Sequence, residues 1–218
     1  MLRAKLWDLP TRIFHWMLAG LILTAWLTAG RQWAWHRWSG YAVLGLIVFR
    51  LYWGLVGGST ARFVNFVKGP RATLAYLRAL PGREAKDSPG HNPLGALSMV
   101  ALLVLIPLQA GLGLFAVDID GLESGPLSYL VDFDTGRLCA EWHELSFRVL
   151  QGLIALHLAA VAFYLIYKRQ NLVAAMITGR GRFSGEAPQV RFAPAWRAAV
   201  GVMLAVAVAY VLAKGLKI

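Results

Sequence analysis

The chain has 218 residues, 58% of them hydrophobic and only 15% charged, with a formal net charge of +11 and a mean hydropathy of +0.55. Soluble domains run near a quarter charged and about half apolar, so this balance excludes an ordinary soluble domain and, by the same hydrophobicity, a disordered chain. A single cysteine, Cys139, excludes a disulfide framework.

Taken in chain order, five apolar runs lie near residues 13–29, 38–56, 94–117, 142–167 and 195–213, each close to the roughly 20 residues an α-helix needs to cross a bilayer. The pattern predicts a polytopic, all-α integral membrane protein. The first run is not a cleavable signal peptide, because it carries His15 and Trp26 and no small-residue cleavage pattern follows it. Pro107 in the third run removes a backbone donor and predicts a kink that membrane helices tolerate. Pro81-Gly82, Ser88-Pro89-Gly90 and Gly179-Arg180-Gly181 punctuate the intervening loops.

Charge supplies an orientation. Arg3, Lys5 and Arg12 precede the first run; Arg62, Lys68, Arg71, Arg78, Arg83 and Lys86 lie between the second and third; Lys168, Arg169, Arg180, Arg182 and Arg191 follow the fourth. These segments share one side, which the positive-inside rule makes cytoplasmic, N-terminus included. The loop between the third and fourth runs holds Asp118, Asp120, Glu123, Asp132, Asp134 and Glu141 against Arg137, so the opposite face is acidic. Lys214 and Lys217 are a mild exception if all five runs span. Topology thus accounts for the basic residues, and a nucleic-acid partner is not expected.

Ionisable residues within spans are functional hypotheses by default. Of the five histidines, His15 lies at the inner start of the first helix, His36 opens the second from outside, and His143 and His157 share the fourth. The 14 residues between His143 and His157 come within about 40° of whole helical turns and rise about 21 Å, so one helix face offers imidazoles at two depths. The outer is level with His36 and the deeper approaches the level of His15. The resulting pairs, His36 with His143 and His15 with His157, suit two haem irons with two axial ligands each. A zinc site would gather about four ligands in one place. Taken singly, each histidine could instead be an interhelical hydrogen-bonding residue.

Gly40 follows His36 by one turn and Ala19 follows His15 likewise, where small side chains would let a flat macrocycle approach the backbone. Arg50, 14 residues after His36, and Arg12 are each read either as partners of a haem propionate or as snorkelling interfacial arginines. The tryptophans near span ends fit aromatic-belt placement.

These residues resemble the prokaryotic cytochrome b-561 family, which includes the b-type cytochrome subunits of nickel-iron hydrogenases. The likeness is carried by Trp7-Asp8-Leu9-Pro10-Thr11-Arg12-Ile13-Phe14-His15-Trp16, by Arg50-Leu51-Tyr52-Trp53-Gly54, and by Gly90-His91-Asn92-Pro93-Leu94-Gly95. Gly125-Pro126-Leu127, His143-Glu144, His157 and the stretch 171–179 complete it. It covers about residues 6–183 and leaves the last span outside the shared core. The resemblance implies a four-helix transmembrane bundle over residues 1–183 binding two haem b groups, with His15, His36, His143 and His157 as iron ligands. Residues 184–218 then form a linker and a fifth, C-terminal transmembrane helix. For His91 the expectation is a structural or quinone-proximal role without iron ligation, and Cys139 is read as a small buried hydrophobe.

The function expected is transmembrane electron transfer in the bacterial inner membrane, between ubiquinone or menaquinone and a periplasmic redox partner. The acidic outer face favours a basic cytochrome c, and a membrane-anchored oxidoreductase is equally compatible. A superoxide:ubiquinone oxidoreductase is the alternative within the family, although an acidic loop repels that anion. A channel or transporter with a histidine-lined path is the alternative from another class, and the apolar spans speak against it. No catalytic residue is assigned.

Overall fold

The computed structural model describes residues 2–82, 90–120, 123–183 and 188–217. Arg83, Lys86, Ser88 and Pro89, counted above among loop and turn residues, lie outside the described residues. Strand β1 (Leu2–Lys5) leads into α1 (Leu9–Thr28), where the Asp8 carboxylate accepts from Thr11 N at 2.8 Å and Pro10 sits in the first turn. A turn over Gly30, at a φ of +67° that a side chain disfavours, leads to α2 (Trp33–Val56). Two short helices follow, α3 (Phe63–Phe66) and α4 (Pro70–Ala79).

Helix α5 (Pro93–Phe115) is capped by Asn92 and runs through Pro107. A single 3-10 turn at Ser128–Leu130 precedes α6 (Phe133–Ile166), which Asp132 caps by accepting from Thr135 N at 2.9 Å. That cap starts α6 well before residue 142, where the apolar pattern alone begins it. With 34 residues, α6 is about 50 Å long and outreaches a hydrocarbon core of about 30 Å. Helix α7 (Leu172–Thr178) ends on left-handed Gly179, strand β2 (Arg180–Phe183) pairs antiparallel with β1, and α8 (Ala195–Ala213) ends the fold.

Among the described residues, four helices are long and apolar enough to cross a membrane: α2, α5, α6 and α8. Helix α1 has the length, at 20 residues, but Arg12, His15 and its threonines dilute its apolar character.

Helix α2 is the hub, packed against α1, α5 and α8, while α6 lies mainly on α5. The approach of α8 depends on glycine. A Cβ at Gly45 would stand 2.5 Å from the Ala205 carbonyl oxygen, and one at Gly201 would stand 2.9 Å from the rings of Phe49 and Tyr52. Small residues of this kind let helix backbones meet where no water drives them together. The C-terminal helix is thereby docked on the same hub as α1 and α5.

At the α1 start, sequence-distant motifs lock together. Asp8 is buried, its second carboxylate oxygen accepts from Trp53 Nε1 at 3.2 Å, and Trp53 is only 1% exposed. One carboxylate therefore caps α1 and holds the end of α2. Replacing Asp8 by Ala removes the cap and strands a buried indole N–H, and is expected to cost about 3 kcal/mol. Denaturation of the detergent-purified protein checks this, and an unchanged midpoint would contradict it.

Candidate haem-binding site

The two histidine pairs meet as the helical spacing requires. His36 on α2 and His143 on α6 have ring centroids 6.0 Å apart with planes at 78°. His15 on α1 and His157 on α6 are 6.4 Å apart at 50°. Two imidazoles sharing one ion through metal–nitrogen bonds of about 2 Å place their centroids roughly 6 Å apart. Within the described residues neither pair is joined by a direct hydrogen bond between its rings. Among the described residues no group of three or more His, Cys, Asp or Glu is placed to hold a metal ion, in keeping with two separate pairs.

The outer pair is oriented by backbone carbonyls. His36 Nδ1 lies 2.8 Å from the Ala25 carbonyl oxygen, and His143 Nδ1 lies 2.8 Å from that of Gln109. These acceptors assign the ring proton to Nδ1 and leave Nε2 unprotonated, the arrangement that fixes and strengthens an imidazole as a ligand. Helix α5 supplies no histidine but shapes this site. A Cβ at Gly113 would fall 2.8 Å from His143 Cε1, so glycine there makes room for the ring. The Gln109 amide nitrogen is 3.2 Å from both His143 ring nitrogens, and its buried side-chain oxygen accepts from Ser146 Oγ.

Between the pairs lies an apolar layer. Val43, Ile47, Ile106 and Leu150 form its buried centre, with Leu18, Leu21, Ile22, Phe147 and Ile154 packed on it. Leu150 stands seven residues from each α6 histidine and is 2% exposed, so hydrocarbon fills the space between the two histidine levels.

The accessory residues divide. Gly40 opens onto free space, with nothing within 4 Å of a Cβ built there, as an approaching macrocycle needs. Ala19 is exposed. Arg50 is 2% exposed, which overturns the snorkelling reading for it. It donates to the Ala61 carbonyl oxygen at 3.1 Å and lies 4.8 Å from the Phe63 ring centroid, while its buried Nη2 has no hydrogen-bond partner. A carboxylate would complete that guanidinium. Arg12 is engaged elsewhere, donating to the Met176 and Ile177 carbonyls at the end of α7, where a cation complements the helix dipole.

His91 sits before α5 with its ring against Trp7 (4.9 Å) and Phe66 (4.6 Å). Burial first, then the neighbouring Arg50 charge, pushes its pKa down to about 3, so it is neutral at physiological pH. Gln109, Ser146, Gly113 and Asp8 were not singled out in the sequence. The signal open to view was a glutamine and glycines in an otherwise apolar third span.

Two pairs of opposed imidazoles inside a bundle with four membrane-length apolar helices among the described residues mark a multi-pass membrane protein. The profile of the prokaryotic cytochrome b561 family matches residues 6–179, and the chain belongs to that family. Membership implies haem b and transmembrane electron transfer. The chain is 26% identical over 170 residues to a probable Ni/Fe-hydrogenase B-type cytochrome subunit of Azotobacter chroococcum mcd 1, covering 70% of this chain and 69% of that one. It is 25% identical over 214 residues to a protein of the same description from Rhizobium leguminosarum bv. viciae, covering 81% and 88%. No solved structure matches the chain.

The geometry around His143 generates a specific expectation. In Gln109→Leu the backbone carbonyl still orients Nδ1 but the amide dipole is gone, so haem content should persist while the midpoint potential of the outer site falls and that of the inner site stays. Gly113→Val should displace the His143 ring and lower haem content by half. Redox titration with haem quantification checks both; an inner-site shift of equal size in Gln109→Leu would contradict the assignment.

Proposed function

We propose that the chain is a di-haem b-type cytochrome that relays electrons across the bacterial inner membrane, with its N-terminus in the cytoplasm and α1 joining the other four long helices as a fifth crossing. The observation that carries this reading is the pair of centroid separations, 6.0 and 6.4 Å, at two depths of one bundle. His36 and His143 hold the outer haem, and His15 and His157 the inner one. Held by these four imidazoles, haem b would supply one-electron redox chemistry. The histidine Nδ1 contacts with Ala25 and Gln109 orient the outer ligands, the Leu150 layer keeps water from the path between the sites, and Arg50 Nη2 holds a carboxylate of the inner haem.

One end of the relay exchanges electrons with quinone, ubiquinone or menaquinone, and the other with a periplasmic partner. The outer face supports a cationic partner protein: Asp120, Asp132, Asp134 and Glu141 are exposed, whereas Glu123 is paired with Arg37 at 3.2 Å. A basic cytochrome c meets that requirement. The relatives named as hydrogenase cytochrome subunits support a membrane-associated redox enzyme as the partner instead. The same exposed carboxylates repel superoxide and weigh against superoxide oxidation.

A reduced-minus-oxidised spectrum with haem quantification should give two b haems per chain. His36→Ala or His143→Ala should each retain about one haem, and His15→Ala or His157→Ala should retain the other, with a different midpoint potential. Two haems persisting in any of these variants would overturn the pairing.

A further inference from the structure

The two-stranded sheet at the base of α1 carries a charge pattern that its own stability opposes. Its register places Arg3 opposite Arg182 and Lys5 opposite Arg180. Side chains two residues apart share a strand face, so all four cations project from the same side. All four are exposed. The opposite face presents Ala4, Gly181 and Phe183 to the core around Leu6, Trp7 and Ala175. Like charges directly opposite one another destabilise a strand pair. Among the described residues, no carboxylate forms an ion pair with any of the four.

The same cations border a cavity. A recess of about 400 Å³ is lined by Arg3, Arg180 and Arg182 together with Ala174, Thr178 and Gly181. Three guanidiniums around one open recess form a receptor for a phosphate, whose oxygens accept paired N–H donors. The recess lies next to the start of α1, where Asp8 begins the helix only three residues after β1 ends. On the orientation proposed above, that is the level of the inner-leaflet headgroups, where basic clusters flanking a span attract anionic lipid.

We propose that this cationic strand face is a binding site for the phosphate headgroup of an anionic phospholipid, which neutralises the Arg3–Arg182 and Lys5–Arg180 pairs and clamps β1 to β2. The proposal rests on the membrane orientation given under Proposed function, but not on haem ligation. Its signature is a trade-off. Removing one cross-strand pair should stabilise the lipid-free protein and weaken its response to anionic lipid, whereas removing a merely structural arginine pair would destabilise the protein and leave that response unchanged.

The test uses the full chain purified in a zwitterionic detergent, with the thermal unfolding midpoint followed by tryptophan fluorescence. Phosphatidylglycerol, phosphatidylcholine or inorganic phosphate is titrated in. Wild type should be stabilised by phosphatidylglycerol and not by the other two. R3Q/R182Q should unfold at a higher temperature than wild type without lipid and bind phosphatidylglycerol on the order of 30-fold more weakly. K5Q/R180Q is a second variant at the same face and should behave likewise. An equal response to phosphatidylcholine, or an undiminished phosphatidylglycerol response in both variants, overturns the proposal. Stabilisation by inorganic phosphate to the same extent also overturns it and assigns the site to free phosphate. Haem content and the difference spectrum, read on the same samples, report separately on the electron-transfer reading.

Discussion

The depth relation between His143 and His157 governs the rest of this fold. Both histidines ride on one helix, 14 residues apart, so a helix that pairs with either must bring its own imidazole to one of two levels about 21 Å apart along the axis. His36 does so from α2 and His15 from α1, and the ring centroids of the two pairs stand 6.0 and 6.4 Å apart. Helix α6 must therefore stay regular over its full 34 residues. A kink at α5 is tolerable, because α5 holds no ligand and contributes a carbonyl, an amide and the glycine that admits the His143 ring.

The two levels are built differently. At the His36–His143 level both rings donate from Nδ1 to helix carbonyls, so their tautomer and rotation are set by the backbone. At the inner level His15 Nδ1 is buried without a hydrogen-bond partner, and the nearby order comes from packing and charge. Trp16 lies edge-on to His15, Arg50 lies over Phe63, and Asp8 ties α1 to Trp53. Between the levels, the Leu150 layer supplies the low-dielectric filling that separates the two proposed redox centres.

Much of this was legible in the sequence because it follows from periodicity. Apolar runs of bilayer length, the one-sided charges and the shared face of His143 and His157 all depend on 3.6 residues per turn and on the cost of polar groups in lipid. The pairing of rings was legible for the same reason. The early start of α6 was not, because Asp132 caps a first turn that is polar and so outside any apolar window. Nor was the Asp8–Trp53 bond, which joins residues 45 positions apart and leaves no periodic trace. The burial of Arg50 against Phe63 and Ala61 was not legible either, since it depends on a loop whose path has no local signal. Arg12 shows the converse: its helix position was plain, but its partners are the carbonyls of α7, more than 160 residues away.

The most direct test of the central claim is low-temperature electron paramagnetic resonance of the oxidised, purified protein. Two bis-histidine sites with ring planes inclined at 78° and 50° should give two distinct low-spin ferric signals and no high-spin component. His143→Ala should remove one of them and leave the other unaltered. A single low-spin signal in the wild type, or a high-spin signal that responds to added exogenous ligand, would contradict the account.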